Sequence, residues 1–114
     1  LSIQNDVKFY VDDVLTYENI SYSKSFVYKK WTGTSYNMID RIAYHHFYLI
    51  YNELENAKLD TPQITIDQND LFYKKFNLNF NGIKYSFEYD FKSYKDNYEQ
   101  QDIVLIYMKP KMIL

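Results

Sequence analysis

The side chains best suited to acid–base or metal chemistry are the chain's two histidines, His45 and His46. Adjacent residues of a helix point about 100° apart, whereas ligands on one helix face are three or four residues apart, so this pair cannot readily hold one metal ion. His46 falls on an apolar stripe, and Glu53 lies two turns further along a similar face. A buried His46–Glu53 pair would be a candidate general base in a pocket. A hydrogen-bonded core histidine is the simpler interpretation, and we predict that His46 is structural.

The carboxylates form short clusters, which could indicate paired acid–base groups: Asp12 with Asp13, Glu53 with Glu55, and Glu88 with Asp90. Glu88 and Asp90 occupy alternate positions of a predicted strand, and Lys75 is the expected cross-strand neighbour of Glu88. A charged solvent face is therefore favoured over catalysis. Residues 67–70 lack the glycine and the terminal glutamate of a calcium loop, and a chain with no cysteine has no thiolate ligand or nucleophile. We predict no metal site and no cofactor.

Short catalytic motifs are missing from the chain. No serine stands in a nucleophile elbow, and a chain with 2 glycines has little room for a phosphate-binding loop. Whether the protein is an enzyme stays open, but a binding or assembly role is favoured.

Tyrosine is the remaining indication of function, because the chain has 14 Tyr beside 8 Phe and 1 Trp. Tyrosine combines a large rigid contact area with a hydroxyl group and is enriched at protein interfaces. The pattern predicts exposure for four aromatic residues, our candidate binding residues: Tyr73, Tyr94, Tyr98 and Trp31. The alternative is that an AT-rich genome and a core built with tyrosine account for the number of tyrosines. An AT-rich genome would also explain the excess of Lys over Arg.

The apolar spacing predicts the elements that must position these side chains. Residues 3–18 carry apolar residues at helical spacing, and residues 20–31 are rich in β-branched and aromatic residues, which indicates a strand. A long helical stripe follows and ends before Pro62, which cannot continue a helix. Its members are Ile39, Ile42, Ala43, His46, Ile50, Leu54 and Ala57.

Asn81–Gly82 predicts a β-hairpin, since both residues accept the positive φ of a two-residue type I′ turn. The loop length fixes the register and places apolar residues on one face, with polar residues on the other. The apolar pairs are Phe80 with Ile83, Leu78 with Tyr85, Phe76 with Phe87, and Phe72 with Phe91. The polar pairs are Asn79 with Lys84, Asn77 with Ser86, and Lys75 with Glu88.

The last predicted strand, residues 103–108, is apolar at every position, so we expect it to lie centrally in the sheet. Residues 93–101 are polar and predict a loop. The sequence therefore predicts an α+β single domain over residues 1–114, with an N-terminal helix, a strand, and a long central helix packed on a curled antiparallel sheet of 3–5 strands. In architecture this resembles the cystatin-like and NTF2-like folds, which host many functions.

Charge and hydropathy limit the partners. A net charge of −2 argues against nucleic-acid binding, and no window has the eighteen or so apolar residues of a membrane span. The compartment is left open between extracellular or envelope-associated and cytoplasmic.

The leading hypothesis is a non-catalytic interaction or assembly module with a protein partner or self-association, such as the soluble domain of a larger envelope-associated or mobile-element protein. One rival is a small-ligand or enzymatic pocket between helix and sheet that uses His46. The other is a small inhibitor or immunity-type protein.

Overall fold

The computed structural model describes residues 6–17, 19–29, 38–57, 61–95 and 102–111, with the backbone alone for 19–24 and 38. Five strands form one antiparallel sheet in the order β2-β1-β6-β5-β4, and β3 pairs with β7 in a second, two-stranded sheet. The predicted α+β class and antiparallel sheet are confirmed. The elements are β1 (Val7–Val11), β2 (Val14–Thr16), β3 (Asn19–Tyr28), α1 (Met38–Asn56), β4 (Gln63–Asn69), β5 (Tyr73–Phe80), β6 (Ile83–Asp90), a 3-10 turn (Lys92–Tyr94) and β7 (Ile103–Pro110).

The β5–β6 hairpin has the predicted register at every strand pair from Phe80–Ile83 to Lys75–Glu88. Asn81 and Gly82 adopt φ of 53° and 74°, as a type I′ turn requires. Beyond the strands, the Phe91 N–H donates to the Phe72 carbonyl at 2.8 Å, which continues the same alignment. Local turn chemistry and the alternation of apolar residues therefore specify the same structure.

The long helix is also confirmed as α1, and its predicted stripe faces the sheet. From Ile39 to Leu54 every residue of that stripe is buried. The stripe packs against the apolar face of the hairpin, where Phe47 of α1 meets Phe76 and Phe87 edge to face at 4.9 and 5.5 Å between ring centroids. Aromatic packing between helix and sheet thus forms the centre of the core.

The predicted N-terminal helix is wrong, because β1 and β2 form a β-hairpin there. Val7 and Phe9 are buried on alternate positions of β1, which is the period of a strand. Asp12 and Asp13 adopt φ of 48° and 67° in the turn, a region that aspartate tolerates better than most residues. The turn is held to β6, since the Lys84 N–H donates to Asp12 Oδ1 at 2.9 Å and the Lys84 carbonyl accepts from the Asp12 N–H at 2.8 Å.

The last strand does not lie centrally, since β7 belongs to the two-stranded sheet with β3. Its side chains alternate, with Ile103, Leu105 and Tyr107 buried and the residues between them half-buried. The buried side lies against α1 and β1, so contact with other elements, rather than further strand pairing, accounts for the apolar inner face. The predicted loop at 93–101 begins in the 3-10 turn, and residues 96–101 lie outside the described part of the chain.

Candidate functional site

The five-stranded sheet packs one face on α1 and turns the other away from it, and this second face gathers the polar partners of the hairpin. Glu88 on β6 is its centre. Its direct cross-strand neighbours are Lys8 on β1 and Lys75 on β5. Residues directly opposite each other in an antiparallel sheet are side-chain neighbours, so the two lysines flank Glu88 on this face.

Two tyrosines converge on Glu88 from opposite diagonal positions. The Tyr10 hydroxyl donates to Glu88 Oε2 at 3.2 Å. Partial burial, and after it the negative charge of Glu88, raises the pKa of both Tyr10 and Tyr73, so Tyr73 also lies close to this carboxylate. Both hydroxyls therefore remain protonated around neutral pH.

Lysines lie over the same two rings. Lys75 Nζ is 5.2 Å from the centroid of the Tyr10 ring, and Lys92 Nζ is 4.8 Å from that of Tyr73. Cation–π contacts of this length stabilise an exposed arrangement by about 0.5–1 kcal/mol each. We call Tyr10, Tyr73, Lys75, Glu88 and Lys92 the Glu88 cluster.

Beside this cluster lie two small polar residues, Asn77 and Ser86, directly opposite each other on β5 and β6. Their exposed fractions are 4% and 1%, and Asn77 Oδ1 and Ser86 Oγ have no hydrogen-bond partner among the described residues. The amide nitrogen of Asn77 is held by Asp67 Oδ2 at 2.8 Å and Thr65 Oγ1 at 3.3 Å. The side-chain oxygen of Asn77 is therefore fixed in orientation and can accept a further hydrogen bond.

Two shallow pockets adjoin the cluster on either side of Lys92, with volumes of ≈ 440 and ≈ 340 Å³. Leu71, in the larger one, is 52% exposed and adds an apolar patch. The surface thus extends from the outer face of the sheet to the two pockets beside Lys92. The larger pocket is lined by Asp70, Leu71, Phe72, Tyr73, Lys92 and Lys95, and the smaller by Asp6, Lys8, Asp90, Lys92 and Ser93.

Of the four aromatic residues proposed from sequence, the structure places Tyr73 in the Glu88 cluster. Tyr94 is half-buried, and its hydroxyl donates to Asp6 Oδ2 at 2.5 Å. Burial and this hydrogen bond raise the pKa of Tyr94 to about 12. Tyr94 therefore anchors the 3-10 turn to the N-terminal segment. Trp31 and Tyr98 lie outside the described residues.

His46 and Glu53 do not pair with each other through the imidazole, because both ring nitrogens of His46 have other partners. Nδ1 lies 2.7 Å from the Tyr89 hydroxyl, and Nε2 lies 2.6 Å from the Met108 carbonyl oxygen. Glu53 Oε2 instead accepts from the Tyr107 hydroxyl at 2.6 Å and from Lys109 Nζ at 3.2 Å. His46 is 1% exposed, so in this structure it holds the helix to the sheets.

Sequence reasoning missed Tyr10 and Lys92 as members of the cluster. Lys8 and Tyr10 alternate with Val7, Phe9 and Val11, and that period of two was the indication that could have found Tyr10. Lys74 precedes Lys75 on β5 and therefore faces the opposite side of the sheet, towards α1. That side chain is 2% exposed and forms an ion pair with Asp40.

Possible metal ligands, membrane-spanning helices and known relatives do not identify a function for the described residues. The described residues contain no group of three or more His, Asp or Glu side chains that could hold a metal ion. Within the same residues, no helix combines the length and the apolar character that crossing a membrane requires. In comparisons with protein-family models, curated proteins and solved structures, nothing matches the chain.

Proposed function

We propose that this chain is a non-catalytic interaction or assembly module and that the Glu88 cluster is its contact surface for a protein partner. The observation that carries the proposal is the fixed position of two large aromatic rings on the outer face of the sheet. Tyr10 is held by its hydrogen bond to Glu88 and by Lys75, and Tyr73 packs under Lys92. Rings that are already ordered lose little conformational entropy when a partner binds, so more of the contact energy appears as affinity.

The composition of this surface favours a protein over other partners. Tyrosine rings, an exposed leucine and charges of both signs are typical of protein interfaces, in which an aromatic centre is surrounded by a polar rim. A strongly basic surface, as nucleic acid requires, is not expected for a chain of net charge −2.

Two finer features remain part of the proposal. The helix packed across an antiparallel sheet supports a fold of the cystatin-like or NTF2-like type, and the role we favour is a soluble domain of a larger envelope-associated or mobile-element protein. An inhibitor or immunity-type protein would use the same surface. It would differ by binding one target tightly and blocking that target's activity.

Site-specific photocrosslinking tests the surface directly in the cells that produce the protein. In one variant a crosslinking amino acid replaces Tyr73. In the matched control it replaces Val27, which is 55% exposed on β3. We expect a discrete crosslinked protein from position 73 and none from position 27. With the crosslinker at Lys75, the otherwise unchanged chain should give the same crosslinked protein, and the double variant Tyr10→Ala/Tyr73→Ala should lose it. Equal products from positions 73 and 27, or no change in the double variant, would place the contact elsewhere.

A further inference from the structure

A second concave site lies on the helix side of the molecule, between α1 and the end of β3. It is a pocket of ≈ 350 Å³ lined by Tyr28, Arg41, Tyr44, His45 and Tyr48, which we call the Arg41 pocket. The four of these residues that belong to α1 are spaced i, i+3, i+4 and i+7, so they share one face of the helix. That volume is at the lower end of small-molecule sites and suits a ligand with a single ring.

The walls of the Arg41 pocket are aromatic side chains that neighbouring residues hold in place. Tyr44 and Tyr48 lie nearly parallel, with 17° between their planes and 6.4 Å between centroids. His45 is held edge-on by Phe26 at 4.7 Å and by Tyr28 at 5.7 Å. The Tyr44 hydroxyl donates to Asn69 Oδ1 at 2.9 Å, which fixes that ring on its outer side. The pocket therefore presents flat apolar walls of defined orientation.

Two hydrogen-bond donors belong to the same pocket. Arg41 is exposed at its rim, and the Tyr28 hydroxyl is buried with no hydrogen-bond partner among the described residues. A guanidinium group presents paired N–H donors that match the two oxygens of a carboxylate. Arg41 is also the one arginine in a chain whose other basic residues are lysines, apart from histidine. A composition that disfavours arginine makes its presence at this position informative.

We propose that the Arg41 pocket binds a planar aromatic carboxylate, with the ring between the tyrosine and histidine side chains and the carboxylate on Arg41 and the Tyr28 hydroxyl. This goes beyond the proposed function, because α1 and the Glu88 cluster lie on opposite faces of the sheet. A ligand cation is disfavoured, since Arg41 would repel it. The carboxylate belongs either to a free aromatic acid or to the C-terminal aromatic residue of a peptide.

Titration by NMR of the full chain labelled with ¹⁵N tests this assignment. The probes are 4-hydroxyphenylacetate, a short peptide ending in Tyr, and the uncharged amide of each. We expect saturable shifts confined to Tyr28, residues 41–48 and the Arg41 side chain, with a dissociation constant of about 0.1–10 mM for a probe of this size. Each amide should bind at least about tenfold more weakly than its acid.

The variants separate recognition of the carboxylate from nonspecific attraction. Arg41→Gln should weaken binding at least about tenfold, and Tyr28→Phe, which keeps the ring, about threefold or more. Lys29→Gln removes a neighbouring ammonium group whose side chain is 80% exposed and should leave binding unchanged. The spectrum of each free variant shows whether it is folded.

Each outcome decides the proposal. Binding of the free acid or of the peptide acid supports it and identifies the source of the carboxylate. Shifts without saturation, equal binding of acid and amide, or equal binding by Arg41→Gln would overturn it. Because the Glu88 cluster is not involved, these results leave the interaction proposal to its own test.

Discussion

His46 provides the most direct test of how helix and sheets are joined, because its protonation state follows from its neighbours. The Met108 carbonyl can only accept, so Nε2 carries the hydrogen and Nδ1 accepts from the Tyr89 hydroxyl. A second proton would place a charge in the core. Burial accordingly lowers the pKa of His46 from 6.5 to about 4.

The sign of the resulting pH dependence follows from linkage. Between pH 6.5 and about 4 the unfolded chain binds a proton at His46 that the folded chain resists. The contribution to the free energy of unfolding is therefore complete above pH 6.5 and is lost as the pH falls towards 4. With these two pKa values the loss is about 2 kcal/mol at about pH 5 and about 3 kcal/mol at about pH 4.

Urea melts of the wild type and of His46→Gln at about pH 7.5 and about pH 5 measure this contribution of His46 to the free energy of unfolding. Glutamine supplies a donor and an acceptor but does not titrate, so the variant should lose about 1–2 kcal/mol at the higher pH. Between the two pH values the wild type should then lose about 2 kcal/mol more than the variant. Tyr89→Phe is the control, because it removes the hydrogen bond to Nδ1 but keeps the histidine and its pH dependence. Equal losses in wild type and His46→Gln would refute the buried neutral imidazole.

Three further experiments test the packing. Phe76→Ala should lower the free energy of unfolding by about 3–5 kcal/mol in urea melts, because it opens a cavity between sheet and helix, and a loss below about 1 kcal/mol would contradict the register. Lys74→Ala should cost about 2–3 kcal/mol, since it removes the ion pair with Asp40. Lys75→Ala on the opposite face should cost only about 0.5–1 kcal/mol, from its cation–π contact with Tyr10, and equal costs would mean that both lysines are solvated. Ile106→Lys, at a half-buried position of β7, should remain folded by circular dichroism, and light scattering would show whether any self-association is lost; unfolding would restore a central position for this strand.

The predictable parts of the fold are those in which local and periodic patterns agree. Asn81–Gly82 fixed the hairpin register, and one apolar stripe sufficed to identify α1. The prediction for the N-terminal segment failed because its apolar residues fit a helix and a strand almost equally well. The pairing of β1 with β6, which buries Val7 and Phe9, decides between the two, and sequence spacing does not reveal that contact.

The candidate site was predictable to the same extent. The pairing of Lys75 with Glu88 follows from the hairpin, and the exposure pattern suggested Tyr73. Tyr10 reaches Glu88 across 78 positions of sequence, so it could enter the cluster only once the neighbour of β6 was known. The partners of Lys74 could not be predicted for a related reason. Its ammonium group is satisfied by Asn69, by the Asp70 carbonyl and by Asp40, and these partners come together only in the folded chain.

Codon bias can account for the number of tyrosines but not for what their hydroxyls contact. The Tyr89 hydroxyl binds His46, that of Tyr107 binds Glu53, and that of Tyr10 binds Glu88. Phenylalanine at these positions would fill the same space and leave the partner without its hydrogen bond, at a cost of about 1–3 kcal/mol where that partner is buried. Tyr28 departs from this pattern, since its buried hydroxyl has no partner among the described residues. A buried donor left unsatisfied is costly unless something else binds it, and a carboxylate in the Arg41 pocket would do so.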